Sequence, residues 1–288
     1  MRRREVIGLL GGATAWPLTA RPQQAERIRR IVFLHLLAQN DPEELPRIVA
    51  FRQGLEALGW IENRNIQIEH RYLGGDFGRI QAYITELVSA SPELIVSTGS
   101  PFTAALKPTI GTIPIVFVAV NDPVGQGFVA SLSRPGGNIT GFSFFEPPMI
   151  GKWMEILKEI APGVRRVMFM FNPDTAPFYP AFLRELAAAQ APLAAELLAT
   201  PVHNEAEMES AISRANTNRL IAAPDAFINT HRHLIMTMAE RYRIPAIYGY
   251  RRFVTEGALI SYGPDAADIV RRSASYVDRI FAAFLGQG

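Results

Sequence analysis

The sequence predicts an α/β fold of two Rossmann-like lobes, each a parallel sheet flanked by helices, hinged around a ligand cleft. Three observations predict it. Apolar runs at 94–96 and 115–120 stop abruptly at polar loops, Ser97-Thr98-Gly99-Ser100 and Asn121-Asp122-Pro123. Runs this apolar suit strands covered on both faces, as in a parallel sheet. Segments of helical spacing alternate with the runs, and the alternation recurs as two successive series of the same βα pattern.

In the first series, residues 31–37 form a buried-strand candidate. Residues 46–58 follow as a helix, with Ile48, Phe51, Leu55 and Leu58 at helical spacing and Gly59 as the stop. Residues 65–72 alternate, with Ile66, Ile68 and His70 on one face. A helix opens at Asp76 or Gly78 and runs to Ala90. After the strand at 94–96, a short helix starts at Pro101 and leads to the strand at 115–120. Residues 125–132 are expected as a short helix, 134–138 as a turn and 139–142 as a brief strand.

The second series has expected helices at 148–160, 177–190, 205–215 and 228–242. Its strands are expected at 165–171, 196–200, 219–223, 246–248 and 258–261, with a turn of helix at 251–256. The alanines at 187–189 favour the second of these helices. A long helix at 265–285 is expected to cross back onto the first lobe. The predicted division is 27–142 plus 264–288 for lobe I and 143–263 for lobe II.

Composition narrows the function classes. The chain has 288 residues, 48% of them hydrophobic, which suits one large or two ordinary domains and argues against disorder. Its net charge is +2, but residues 1–22 hold Arg2, Arg3, Arg4 and Arg21 against Glu5, a surplus of +3 that leaves −1 for the rest. A near-neutral body gives no reason to expect nucleic acid. The absence of cysteine rules out disulfides, thiolate metal sites, cysteine nucleophiles and a lipid-modified N-terminal cysteine.

Residues 1–26 read as a signal peptide. A basic start precedes an apolar stretch of h-region length. Arg3-Arg4-Glu5-Val6-Ile7 resembles the twin-arginine export pattern. Glycines and Pro17 break the apolar run, so it is too short to span a bilayer. The other reading is an anchoring or disordered basic tail. Leu18-Thr19-Ala20 is a usable but imperfect cleavage site, which places the mature start within 21–27. No other segment is long and apolar enough for stable membrane insertion.

No enzyme signature is found. Gly99-Ser100 lacks the pattern of a nucleophile elbow, and Gly74-Gly75-Asp76-Phe77-Gly78 is neither a Walker loop nor a dinucleotide fingerprint. The five histidines are scattered; His231 and His233 diverge on a helix, and no metal or cofactor is expected. His35 either points into the cleft or fills the end of the first strand.

The strand-end loops carry the binding candidates. Ser100 before Pro101 reads as a helix cap with proline at the first helical position, which leaves N–H groups for a carboxylate, or as plain capping. Asp122 and Asp225 each follow an apolar run; either pairs with a ligand ammonium or simply forms a turn. Asn121 belongs to the same loop as Asp122. Asn172, before Pro173, has the same two readings. Phe102, Phe178, Tyr179, Phe227, Tyr248 and Tyr250 cluster near these loops, where rings can sandwich a flat or apolar ligand group, although each also suits a core. Tyr262, before Gly263-Pro264, suits a hinge. Replacing Asp122 or Asp225 with alanine is expected to weaken binding without unfolding.

Several stretches together carry a family resemblance: RRREVIGLLGG, FRQGLEALGWIENRNIQIEHRYLGGD, TIPIVFVAVNDPVGQGFVASLSRPGGNITGFSFFE, GKWMEILKEIAPGVRRVMFMFNPDTAP, PDAF and SYVDRI. The chain resembles, over nearly its whole length, the exported substrate-binding proteins of ABC transporters with a type I periplasmic-binding fold, in the branch that includes tryptophan and phenylalanine binders. The resemblance implies a clamp closing on a small ligand, with a permease and an ATPase as partners; a periplasmic location and a monomer are also expected. It implies ligand contacts at Ser100, Asn121, Asp122, Asn172 and Asp225, with Tyr250 in a looser match. Two departures stand out. Members usually carry a further segment past the SYVDRI helix, whereas Gly288 follows soon after Ile280, so lower stability than a longer relative is expected. Gly-Ser-Pro at 99–101 also replaces Gly-Thr-Pro, keeping the hydroxyl.

The leading expectation is a periplasmic solute receptor for uptake, taking an amino acid or aromatic carboxylate, and not an enzyme. The alternative is a sensory receptor of the same fold feeding a signalling partner. A sugar-responsive transcription regulator needs a helix-turn-helix where the export signal stands. A hydrolase or transferase needs turnover that is lost on mutating Ser100.

Overall fold

The structure is a computed structural model that describes residues 28–188, 195–215 and 219–285. The expected signal segment, 1–26, lies outside the described residues.

The first sheet contains β1 (Arg29–His35), β2 (Ile66–Tyr72), β3 (Leu94–Thr98), β4 (Ile115–Val120) and β5 (Ile139–Ser143) in the order β2-β1-β3-β4-β5. The second contains β6 (Arg166–Phe171), β7 (Glu196–Pro201), β8 (Arg219–Ala222), β9 (Ala246–Tyr248) and β10 (Ile260–Ser261) in the order β10-β9-β8-β6-β7. Every pairing is parallel. Counted from its own first strand, each sheet has the order 2-1-3-4-5, so the repeated pattern in the sequence becomes a repeated topology. The helices are α1 (Glu44–Glu56), α2 (Ile80–Ala90), α3 (Gly99–Leu106), α4 (Pro148–Ile160), α5 (Tyr179–Ala188), α6 (Glu205–Ser213), α7 (Ala226–Thr230), α8 (Arg232–Arg241), α9 (Arg251–Thr255) and α10 (Ala266–Leu285). None is long and apolar enough to cross a membrane.

The central strands are apolar because both faces are covered. In β3 every residue is buried, and in β4 all but Ala119. The largest core cluster runs from the first sheet to the second through Phe144 and Phe145. Phe145 stacks on Trp153 of α4 with centroids 5.0 Å apart and planes 1° from parallel. Burying a ring of this size removes about 150–250 Å² from water, roughly 4–6 kcal/mol.

The chain passes between the sheets at 144–147 and again at 262–265. The second passage sends α10 back to the first sheet, as the sequence predicts. It packs on α1 so closely that a Cβ on Gly54 would run into the Arg271 carbonyl and lie 2.9 Å from the Ala274 Cβ. Trp60 Nε1 donates to Asp278 Oδ1 at 3.0 Å, and Phe142 meets Tyr276 edge to face at 4.8 Å.

Three expected elements differ. Residues 125–132 form turns, not a helix: Asp122 (φ 42°) and Gly127 (φ 68°) are left-handed, and the Pro123 carbonyl gathers the N–H groups of Phe128 and Val129. The expected helix at 228–242 breaks at His231, whose Nδ1 bonds the Phe227 carbonyl at 2.9 Å. The last strand shrinks to two residues because Gly257 (φ 113°) turns the chain and Ala258 N donates to the Phe253 carbonyl. Part of the expected helix at 177–190 lies outside the described residues.

Candidate functional site

Parallel sheets place their ligands beyond the carboxyl ends of the strands, where neighbouring connections diverge to opposite faces. In both sheets that point lies between the first and third strands, β1 and β3 in one and β6 and β8 in the other. A cavity of about 40 Å³ lies there, lined from both sides. Leu36, Ser100 and Asn121 follow β1, β3 and β4; Thr175, Asp225 and Tyr250 follow β6, β8 and β9. Wider spaces flank it, of about 700 Å³ beside Phe77, Asn172 and His231 and about 410 Å³ beside Glu43 and Arg252.

The first-sheet wall is held by Thr98. Its Oγ1 donates to the Leu34 carbonyl at 3.0 Å and accepts from Leu36 N at 3.1 Å, tying β3 to the end of β1. Thr98, not Ser100, occupies the cap position of α3, so Ser100 and Pro101 sit inside the first turn. Gly99, at the junction, takes φ 75°, a left-handed conformation that suits glycine, and a Cβ there would collide with Leu36. Ser100 still faces the cavity, its Oγ accepting from Gln126 Nε2 at 3.0 Å.

Asn121 crosses to the other sheet. Its Nδ2 donates to the Pro224 carbonyl at 2.8 Å, which also accepts from Tyr179 Oη at 2.9 Å. Asp122 lies in the same loop but is not among the cavity-lining residues. Its Oδ1 accepts from Gly125 N at 2.8 Å, so the turn reading describes it and the ligand reading is revised.

The second-sheet wall is organised by Asp225. Its Oδ2 accepts from Asn172 N at 2.7 Å and its Oδ1 from Ile228 N at 2.7 Å, with Thr175 Oγ1 at 3.4 Å. The carboxylate therefore caps α7 and binds the ends of β6 and β8 together. Burial pushes it up to about 7 despite the backbone N–H groups of Asn172, Ile228 and Phe227. Asn172 is buried, its Oδ1 accepting from Asp174 N and Thr175 N at 2.8 and 3.1 Å; it lines the wider mouth, as does Phe227, which packs on His231. Tyr250 lines the inner cavity and stacks on Phe144 at 4.8 Å.

His35 stands elsewhere. It is fully buried on the face of β1 under α1, with Nδ1 2.5 Å from Glu44 Oε1 and Nε2 2.8 Å from His70 Nδ1. Its reading as a ligand contact is revised to a packing one. Burial, then the neighbouring His35 and Arg52, pushes His70 down to about 4.

Sequence reasoning missed Asn229 and Arg47, both lining the cavity. Asn229 is an amide ending the otherwise apolar AFIN run, a signal that was present. Arg47 is one arginine on a polar helix face, and nothing local marks it. Its guanidinium is engaged by Glu43 at 2.8 Å and lies 4.0 Å from Glu44.

The model of a family described as ABC transporter substrate binding protein matches residues 43–283. A tyrosine-binding protein of Clostridioides difficile is 27% identical over 219 residues, 75% of this chain; the chain spans 62% of that relative's length. Among solved structures, a conserved domain protein from Vibrio cholerae is similar with a TM-score of 0.77 and 27% identity, covering 89% of this chain and 86% of the other. An ABC domain from Streptococcus pneumoniae in complex with L-Trp has a TM-score of 0.79 at 19% identity, covering 88% and 85%.

Proposed function

Because the chain belongs to the family of ABC transporter substrate-binding proteins, a class that binds rather than transforms, we propose that it is the solute-binding component of an uptake system. It takes a small organic ligand, an amino acid or an aromatic carboxylate, between the two sheets and delivers it to a permease powered by an ATPase. Export to the periplasm through the twin-arginine-like signal, and action as a monomer, complete the reading. The two lobes of this reading follow the division expected from the sequence, 27–142 with 264–288 and 143–263.

One observation carries this: the strand ends of both sheets, joined by only two passages of chain among the described residues, line one cavity jointly. A water needs roughly 10–15 Å³ of such space, so about 40 Å³ admits nothing as large as an amino acid. Loading therefore requires the sheets to part. A ligand gripped from both sides favours the closed arrangement by its differential affinity, and a permease can then tell loaded receptor from empty. The L-Trp in complex with one similar structure and the name of the tyrosine-binding relative support an amino-acid ligand.

The test is a thermal-shift screen of the mature protein against amino acids, aromatic acids and sugars, since a ligand stabilises the state it binds. One compound raising the melting temperature in a saturable way is expected. Failure of every class, confirmed by calorimetry, removes the receptor reading.

A further inference from the structure

The buried side-chain oxygens that lack a hydrogen-bond partner among the described residues are two, Asn121 Oδ1 and Asn229 Oδ1. Both residues line the inner cavity. They are 5% and 6% exposed, so solvent at the surface does not serve them. Asn121 comes from the first sheet and Asn229, on α7, from the second. The orientation of the Asn121 amide is fixed, because its Nδ2 is committed to the Pro224 carbonyl. Its free atom is therefore an acceptor. A buried acceptor without a donor is costly, and native proteins retain few of them.

The charges around the cavity point the same way. Arg47 is the cation among the cavity-lining residues, and its guanidinium is already met by Glu43 and Glu44. Asp225 adds a carboxyl on the opposite wall. A group satisfying carbonyl-type oxygens from two sides must offer several donors, and with the one lining cation already paired and a carboxyl on the opposite wall, nothing there opposes a positive charge on it. A primary ammonium has three donors and no acceptor. A carboxylate has none to offer.

We propose that Asn121 and Asn229 recognise the primary ammonium of the ligand, one from each sheet, so that the cleft selects amine-bearing solutes over their des-amino counterparts. This rests on the receptor reading above and narrows it: a bare aromatic carboxylate is not the ligand. Because the ammonium is held from both sides, it is also the group that draws the sheets together.

Titration calorimetry on the mature protein tests this with matched pairs: L-tryptophan and indole-3-propionate, L-tyrosine and 3-(4-hydroxyphenyl)propionate, L-leucine and 4-methylpentanoate. At least one amino acid is expected to bind, with its des-amino partner at least about 30-fold weaker. Asn229→Leu is expected to weaken that amino acid by about 10- to 100-fold, while Asn229→Asp, which keeps an acceptor, stays within about threefold. A des-amino acid binding as tightly as its amino acid overturns the inference and leaves the receptor reading intact. So does a sugar as the sole ligand, or unchanged affinity in Asn229→Leu, which would mean that the oxygens serve only a buried water. If Asn229→Leu does not fold, Asn229→Asp still decides: a loss beyond about tenfold overturns the proposal. No binding by any small molecule removes both.

Discussion

Arg252 Nη2 donates to both carboxylate oxygens of Asp41, at 2.9 and 3.0 Å, and in doing so joins α9 of the second sheet to the segment before α1 of the first. Arg252 Nη1 reaches Glu43 at 3.2 Å, Arg232 lies 3.4 Å from Asp41, and Glu256 pairs with both arginines. These groups form a clasp across the mouth of the cleft, adjoining Arg47 and Tyr250 of the cavity wall. Removing one partner of a buried pair leaves charge without compensation, typically about 3–5 kcal/mol, but here opening can return the acids to water. Arg252→Met is therefore expected to shift the protein toward the open form, raising the radius of gyration in solution scattering and weakening ligand binding, with a smaller loss of unfolding free energy than a core pair would show.

The clasp is also expected to respond to acid. Desolvation raises the Asp41 carboxyl, but the Arg252 hydrogen bond, the Glu43 backbone N–H and the charges of Arg252 and Arg232 more than reverse this, so it titrates below its ordinary 3.8. A depressed carboxyl contributes stability above its unfolded value and loses it as pH falls through the folded one. Scattering profiles are expected to hold steady at neutral pH and to expand only below about pH 4.

His70 and Asp225 pull stability in opposite directions. His70 falls from 6.5 to about 4 in the folded protein, so the unfolded chain binds the proton more readily and stability declines as pH drops across that interval. Asp225 rises from 3.8 to about 7, so the folded protein binds the proton and stability increases as pH drops across that interval. In urea melts, His70→Gln is expected to gain on the wild type as pH is lowered from 6.5 toward 4, because it lacks the histidine's cost.

Gly54 is expected to tolerate nothing larger than hydrogen. Gly54→Val pushes α10 off α1, and overpacking of this kind costs about 1–3 kcal/mol. Chemical denaturation should show that loss, and the intrinsic fluorescence of Trp60, which lies against Phe281 of α10, should change with it.

Asp122→Ala is expected to leave ligand affinity unchanged and to cost about 1 kcal/mol, through the lost hydrogen bond to Gly125 N and a non-glycine residue held at φ 42°. A fall in affinity of tenfold or more, seen by calorimetry, would return this side chain to the site.

The sequence by itself determined the architecture. Alternation of buried runs with helical spacing is local, so 94–96 and 115–120 are legible as strands, and the recurrence of the pattern predicts the second sheet. The loops ending those runs identify Ser100, Asn121 and Asp225 as neighbours of the cleft, since a parallel sheet sends all its strand tips one way. What only the tertiary structure decided is direction and pairing. His35, the last residue of β1, turns under α1 toward Glu44, whereas Ser100, in the first turn of α3, faces the cavity, and a left-handed Asp122 folds back on its own turn. Asn229 and Arg47 join the wall, and Arg252 finds Asp41, because side chains far apart in sequence become neighbours only when the two sheets face each other; no local spacing encodes that distance.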